Sequence, residues 1–141
     1  MKVHVLDANA LYRFLIGGPG ADTVNRLFKE ARDSDQSLRM SVVNWGEVYY
    51  TIAKVEGFAD TERIMERVKL LPLSILDADE SVTTSAARLK AARGLPYADC
   101  FAAATALKGG VLVTSDVKDF KKIPELQLLP LPEHKGHRSR P

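Results

Sequence analysis

The stretch Pro96-Tyr97-Ala98-Asp99-Cys100-Phe101-Ala102-Ala103-Ala104-Thr105-Ala106-Leu107-Lys108-Gly109-Gly110-Val111-Leu112-Val113-Thr114-Ser115-Asp116 reads as a helix, a break, a strand and an acid, in that order. Pro96 suits a first-turn position, because the N–H it lacks is one that a helix start leaves unpaired anyway. The apolar and alanine residues carry the helix to about Lys108, and Gly109-Gly110 stop it. Val111 to Thr114 is a short β-branched apolar run, the pattern of a strand buried on both faces. A helix running into such a strand is part of a βαβ unit, whose crossover helix begins at the carboxyl edge of the sheet. Asp99, in the first helical turn, and Asp116, just past the strand, therefore belong to one edge. That edge is where open α/β sheets bind their ligands.

The same pattern extends in both directions. Val3-His4-Val5-Leu6 is a strand ending at Asp7, followed by a helix with Leu11, Phe14 and Leu15 on one face and a stop at Gly17-Gly18-Pro19-Gly20. A second helix fits Ala21 to Arg32, and Asp33-Ser34-Asp35-Gln36 reads as a polar loop. Leu38 to Val42 is a strand, and Trp45, Val48, Tyr49, Ile52 and Val55 then repeat with helical spacing up to Gly57. Glu47 falls in the first turn of that helix. Asp60 to Leu70 is a further helix, Leu71 to Leu76 a strand with Pro72 near its start, and Glu80 to Arg93 a helix closed by Gly94. After Asp116, Val117 to Lys122 is a short helical turn, and Leu126 to Leu131 an edge strand broken by Pro130. Alternating strands and helices make this an α/β domain with a mostly parallel sheet. The expected domain is 1–131, and 132–141 is a basic tail without apolar anchors.

The chain has 141 residues, 45% apolar and 27% charged, with a net charge of +2. That charge is too small to argue for nucleic acid by itself, so the argument has to come from a site. One cysteine, Cys100, excludes an intramolecular disulfide and a cysteine-based zinc site, and its alanine-rich surroundings suit a buried apolar role. No apolar run approaches the ~20 residues of a membrane span. Met1 to Asp7 holds too short an apolar stretch for a signal peptide, which makes the cytoplasm the expected location.

Asp7, Glu47, Asp99 and Asp116 thus converge on one sheet edge. Each has a local explanation as well. Asp7 and Asp116 suit helix N-caps, Asn44-Trp45-Gly46-Glu47 has capping-box spacing, and Asp99 complements the helix dipole. Together they sit beside apolar neighbours with few cations near in sequence, Arg13 and Lys118 only. Crowded carboxylates without cations repel one another and raise their own pKa values. A divalent cation relieves that, and an all-oxygen set suits Mg2+ or Mn2+. Asp77 with Glu80 also reads as a capping box. His4 reads as a packed histidine, and Trp45, Tyr49 and Tyr50 as core or dimer packing rather than a base-stacking surface. Arg13, Lys54, Arg88 and Arg93 fit polar helix faces as well as phosphate contacts, and His134 and His137 fall in the tail.

Four stretches carry a resemblance. They are Val5-Leu6-Asp7-Ala8-Asn9, Ser41 to Val48, Leu95 to Ala104, and Leu112 to Phe120. In this order they resemble the PIN domain (PilT N-terminus) nucleases, and within them the VapC-type toxins of toxin–antitoxin pairs. The resemblance implies a three-layer α/β/α sandwich and RNA cleavage with Mg2+ or Mn2+. It also implies homodimerisation and inhibition by a cognate antitoxin. It places the family's acids on Asp7, Glu47, Asp99 and Asp116 as catalytic and metal-binding residues, with Asn9, Thr114 and Asp119 as supporting positions. The alternatives are a PIN nuclease of RNA processing and a catalytically silent RNA-binding module. A phosphatase of the haloacid-dehalogenase type is disfavoured, because Asn9 stands where its second aspartate belongs.

Overall fold

The computed structural model describes residues 2–133. Its centre is a five-stranded sheet built from β1 (Val3–Leu6), β2 (Leu38–Ser41), β3 (Leu73–Leu76), β4 (Gly110–Thr114) and β5 (Leu128–Pro130). The strand order is β3-β2-β1-β4-β5 and every pairing is parallel, so the sheet is wholly rather than mostly parallel. Val5 pairs with Leu112 and Leu6 with Val113, which brings the ends of β1 and β4 side by side.

Alternate residues of the strands feed two cores. Leu6, Met40 and Val113 join one cluster with Leu11, Val24, Phe28, Val48, Ile52 and Met65. These last come from α1 (Ala8–Ile16), α2 (Ala21–Ser34), α3 (Val42–Glu56) and α4 (Phe58–Val68). Val5 and Leu112, one residue out of phase, join the other cluster with Ala86, Cys100, Phe101, Ala103 and Phe120. That cluster draws on α5 (Glu80–Arg93), α6 (Tyr97–Ala106) and α7 (Val117–Phe120). The period of two along each strand is what separates the layers and gives the expected α/β/α sandwich.

Several boundaries differ from the sequence reading. Helix α2 runs on through Asp33 and Ser34 and ends where Asp35 takes a left-handed conformation, φ 58°. Strand β2 stops at Ser41, whose hydroxyl accepts from the Val43 N–H and caps α3. The helix thus starts two residues before Asn44, so Asn44 is no cap and Glu47 lies in the second turn. Asp79, not Asp77, caps α5, accepting from the Val82 N–H at 2.9 Å. Pro130 does not break β5 but belongs to it, which an edge strand tolerates because its outer N–H positions need no ladder partner.

Arg13 is not on a polar face. It is 8% exposed, and its Nη1 donates to the carbonyl of Pro19 at 3.2 Å and to that of Pro132. This ties the end of α1 to the chain beyond β5. Cys100 is buried, as expected. His134, His137 and the rest of 134–141 lie outside the described residues.

Candidate active site

Asp7 ends β1 and caps α1. It is 5% exposed, and its Oδ1 accepts from the Ala10 N–H at 2.8 Å. The Thr114 hydroxyl also donates to it. Burial nevertheless pushes its carboxyl up to about 6, with the charges of Asp116 and Glu47 acting in the same direction. Capping α1 and lining the acidic cavity thus fall to the same carboxylate, so the two readings of Asp7 do not compete.

Thr114, fully buried at the end of β4, joins two acids. Besides Asp7, its Oγ1 accepts from the Asp116 N–H at 2.9 Å. Asp116 in turn accepts from the Asp119 N–H at 3.3 Å. Partial burial and then the Asp119 charge hold the Asp116 carboxyl above the ordinary carboxylate range. Asp99, in the first turn of α6, is pushed up to about 7. Burial is the largest cause, followed by the charges of Asp7, Glu47, Asp116 and Asp119.

These residues share one cavity of about 280 Å3, lined by Asp7, Asn9, Glu47, Asp99 and Asp116 together with Tyr12 and Thr51. Carboxylate oxygens of Asp99, Asp116 and Asp119 all lie within 4.8 Å of one another. The tightest grouping thus includes Asp119, expected as a supporting residue, while Asp7 and Glu47 complete the wall of the cavity. Among the described residues no lysine or arginine forms an ion pair with Asp7, Glu47, Asp99 or Asp116. Lys122 pairs with Asp119 at 3.7 Å, and its charge draws the Asp116 pKa down only in part. Crowded oxygens, raised carboxyl pKa values and no cationic side chain among the four fit a hard divalent cation such as Mg2+ or Mn2+.

Two lining residues escaped the sequence reading. Thr51 follows Glu47 by one helical turn, and the i, i+4 rule would have placed it on the same face. Tyr12 neighbours Leu11 in α1, outside the apolar face of Leu11, Phe14 and Leu15. It lies at a border, lining both the acidic cavity and an apolar groove of about 440 Å3 whose other walls include Phe14, Leu15, Ile52, Val55 and Leu71.

No curated protein sequence matches the chain. Among solved structures it resembles the DNA-bound VapBC from Salmonella typhimurium, with a TM-score of 0.77, 19% identity, and coverage of 92% of this chain and 98% of that one. It also resembles VapBC2 from Rickettsia felis bound to a DNA fragment from their promoter, with a TM-score of 0.74, 20% identity, and coverage of 91% and 98%. VapBC-1 from nontypeable Haemophilus influenzae gives a TM-score of 0.66, 20% identity, and coverage of 91% and 97%. At these identities the likeness is one of fold. The PIN domain family itself matches residues 4–126, which is most of the chain and contains every acid of the cavity. With the parallel sandwich and its acidic edge, that match means that the chain belongs to the PIN domain family of nucleases.

Proposed function

We propose that this protein is a metal-dependent endoribonuclease of the cytoplasm, acting as the toxin of a toxin–antitoxin pair. The observation that carries the nuclease reading is the convergence of Asp7, Glu47, Asp99 and Asp116 on one cavity whose described lining includes no lysine or arginine. Asp7, Glu47 and Asp99 hold the cation, and Asp116 shares that ion or helps bind a second, with Asp119 beside it. A bound Mg2+ or Mn2+ supplies positive charge against the scissile phosphate and lowers the pKa of the attacking water. Thr114 fixes Asp7 and Asp116 relative to each other, so their oxygens need little rearrangement when the substrate arrives. Asn9, exposed at the rim, offers amide N–H groups to a phosphate oxygen. No side-chain nucleophile is required, and the products carry a 5′-phosphate and a 3′-hydroxyl.

The toxin reading draws support from the VapBC complexes that share the fold and from the apolar groove beside the cavity. A partner segment with an apolar face can occupy the groove and pass Tyr12 to reach the acids. An Arg on that segment can then take bidentate hydrogen bonds from carboxylates. Homodimerisation belongs to the same proposal. Among the described residues no helix is long and apolar enough to cross a membrane.

The test is cleavage of single-stranded RNA by the purified chain, freed of any partner. Cleavage should need Mg2+ or Mn2+ and stop with a chelator. Cleavage that persists in excess chelator overturns the metal mechanism, and no cleavage with either ion overturns the nuclease. Failure to recover a small co-expressed partner from the native host would count against the toxin.

A further inference from the structure

Asn44 sits inside α3, 1% exposed, where a helix facing a core ordinarily places an apolar residue. Its Nδ2 makes two contacts. One goes to Oε1 of Glu47, one turn on, at 2.9 Å. The other crosses to α6 and the carbonyl of Ala98 at 3.1 Å. Both partners are acceptors, so the orientation of the amide is forced: turned over, its oxygen would face a carboxylate and a carbonyl. The forced orientation leaves Oδ1 buried with no hydrogen-bond partner among the described residues. An unsatisfied buried acceptor is destabilising, and an apolar side chain of similar volume would avoid it.

The fold thus keeps a polar group that it could do without on packing grounds, and the two N–H groups are what that residue provides. One holds the Glu47 carboxylate. The other holds the first turn of α6, at the residue just before Asp99. We infer that Asn44 is a positioning residue of the acidic site, fixing the Glu47 carboxylate and the first turn of α6 beside Asp99 as facing walls of the cavity that would hold a divalent cation. This rests on the nuclease reading above. Side chains that orient metal ligands usually matter nearly as much as the ligands themselves.

The experiment uses the full chain and four forms: wild type, Asn44→Leu, Glu47→Ala and the double variant. Mn2+ affinity is measured directly from the electron paramagnetic resonance of the free ion, melting is followed in chelator, and kcat and KM are measured on single-stranded RNA. Asn44→Leu should weaken Mn2+ binding by about 10- to 100-fold. It should lower kcat with little change in KM. In the Glu47→Ala background the same change should weaken Mn2+ binding by clearly less than it does in wild type, because one of the two groups it acts through is gone while its hold on α6 beside Asp99 remains. Wild-type Mn2+ affinity in an Asn44→Leu protein that only melts earlier would overturn the inference, leaving Asn44 as a strut between helices. An equal loss in both backgrounds would overturn it too. Should Asn44→Leu not fold, judged by far-ultraviolet circular dichroism, Asn44→Ser takes its place with the same expectations. A wild type that neither binds Mn2+ nor cleaves RNA removes the nuclease reading and this inference with it. A wild type that does both, beside an unaffected Asn44 variant, removes this inference alone.

Discussion

Asp7→Asn removes one negative charge from the cavity while keeping the side-chain oxygen that caps α1. Asn caps a helix about as well as Asp, so a residue that served only as a cap should be replaced without effect on stability. The structure demands a different result. The Asp7 carboxyl is pushed from 3.8 up to about 6 by burial and by its acidic neighbours. A carboxyl whose folded pKa is raised favours the fold only while protonated. As pH rises through 3.8 the unfolded chain ionises first, so stability falls until the folded pKa is passed and then levels off. The shift of about two units corresponds to ~3 kcal/mol at pH 7.5. At pH 5 the folded form is still mostly protonated, and the loss is about half as large. In chelator, Asp7→Asn should therefore be more stable than wild type by ~3 kcal/mol at pH 7.5, by roughly half that at pH 5, and by almost nothing near pH 3.5. At pH 7.5 this is a rise in melting temperature of about 10 °C for a domain near this size. Adding Mg2+ at ~100 times its dissociation constant should stabilise wild type by about 2.7 kcal/mol and Asp7→Asn much less. The assay is a set of thermal melts at three pH values, with chelator or Mg2+. A variant no more stable than wild type in chelator at pH 7.5, or a gain equal at pH 7.5 and pH 5, would refute the reasoning.

Other substitutions test how the fold supports the site. Arg13→Leu removes the shared donor of the Pro19 and Pro132 carbonyls, and should cost about 1–3 kcal/mol in urea unfolding, with easier proteolysis after β5. Gly20→Ala should destabilise by about 1–3 kcal/mol by the same measurement. Gly20 has φ +92°, and an added Cβ would meet the Leu131 Cβ at 3.1 Å. Cys100 is fully buried and its thiol is held above the ordinary range, chiefly by burial. It should resist thiol reagents in the native state and react on unfolding, which a labelling time course with and without denaturant will read.

The sequence by itself determined the layer structure and the edge of the sheet at which Asp7, Glu47, Asp99 and Asp116 gather. Strand and helix periods are local properties, carried by residues such as Val111–Thr114 and by stops such as Gly94 and Gly109-Gly110. A parallel crossover then leaves no choice about which edge receives Asp7, Asp99 and Asp116. The resemblance in the four acid-bearing stretches reached the family for the same reason, since each stretch is contiguous. Only the tertiary structure decided what depends on distant residues meeting. Ser41 caps α3 because β2 ends there against β3, and that shift of register turned Asn44 from a presumed cap into a bridge to Ala98, 54 positions away. Arg13 looked like surface charge until Pro132, 119 residues on, came back to accept its hydrogen bond. Asp119 enters the tightest carboxylate group because α7 is one short turn that folds it back toward Asp99. Periodicity records which face a residue occupies. What waits across that face is fixed by packing between elements far apart in the chain, and no local pattern encodes it.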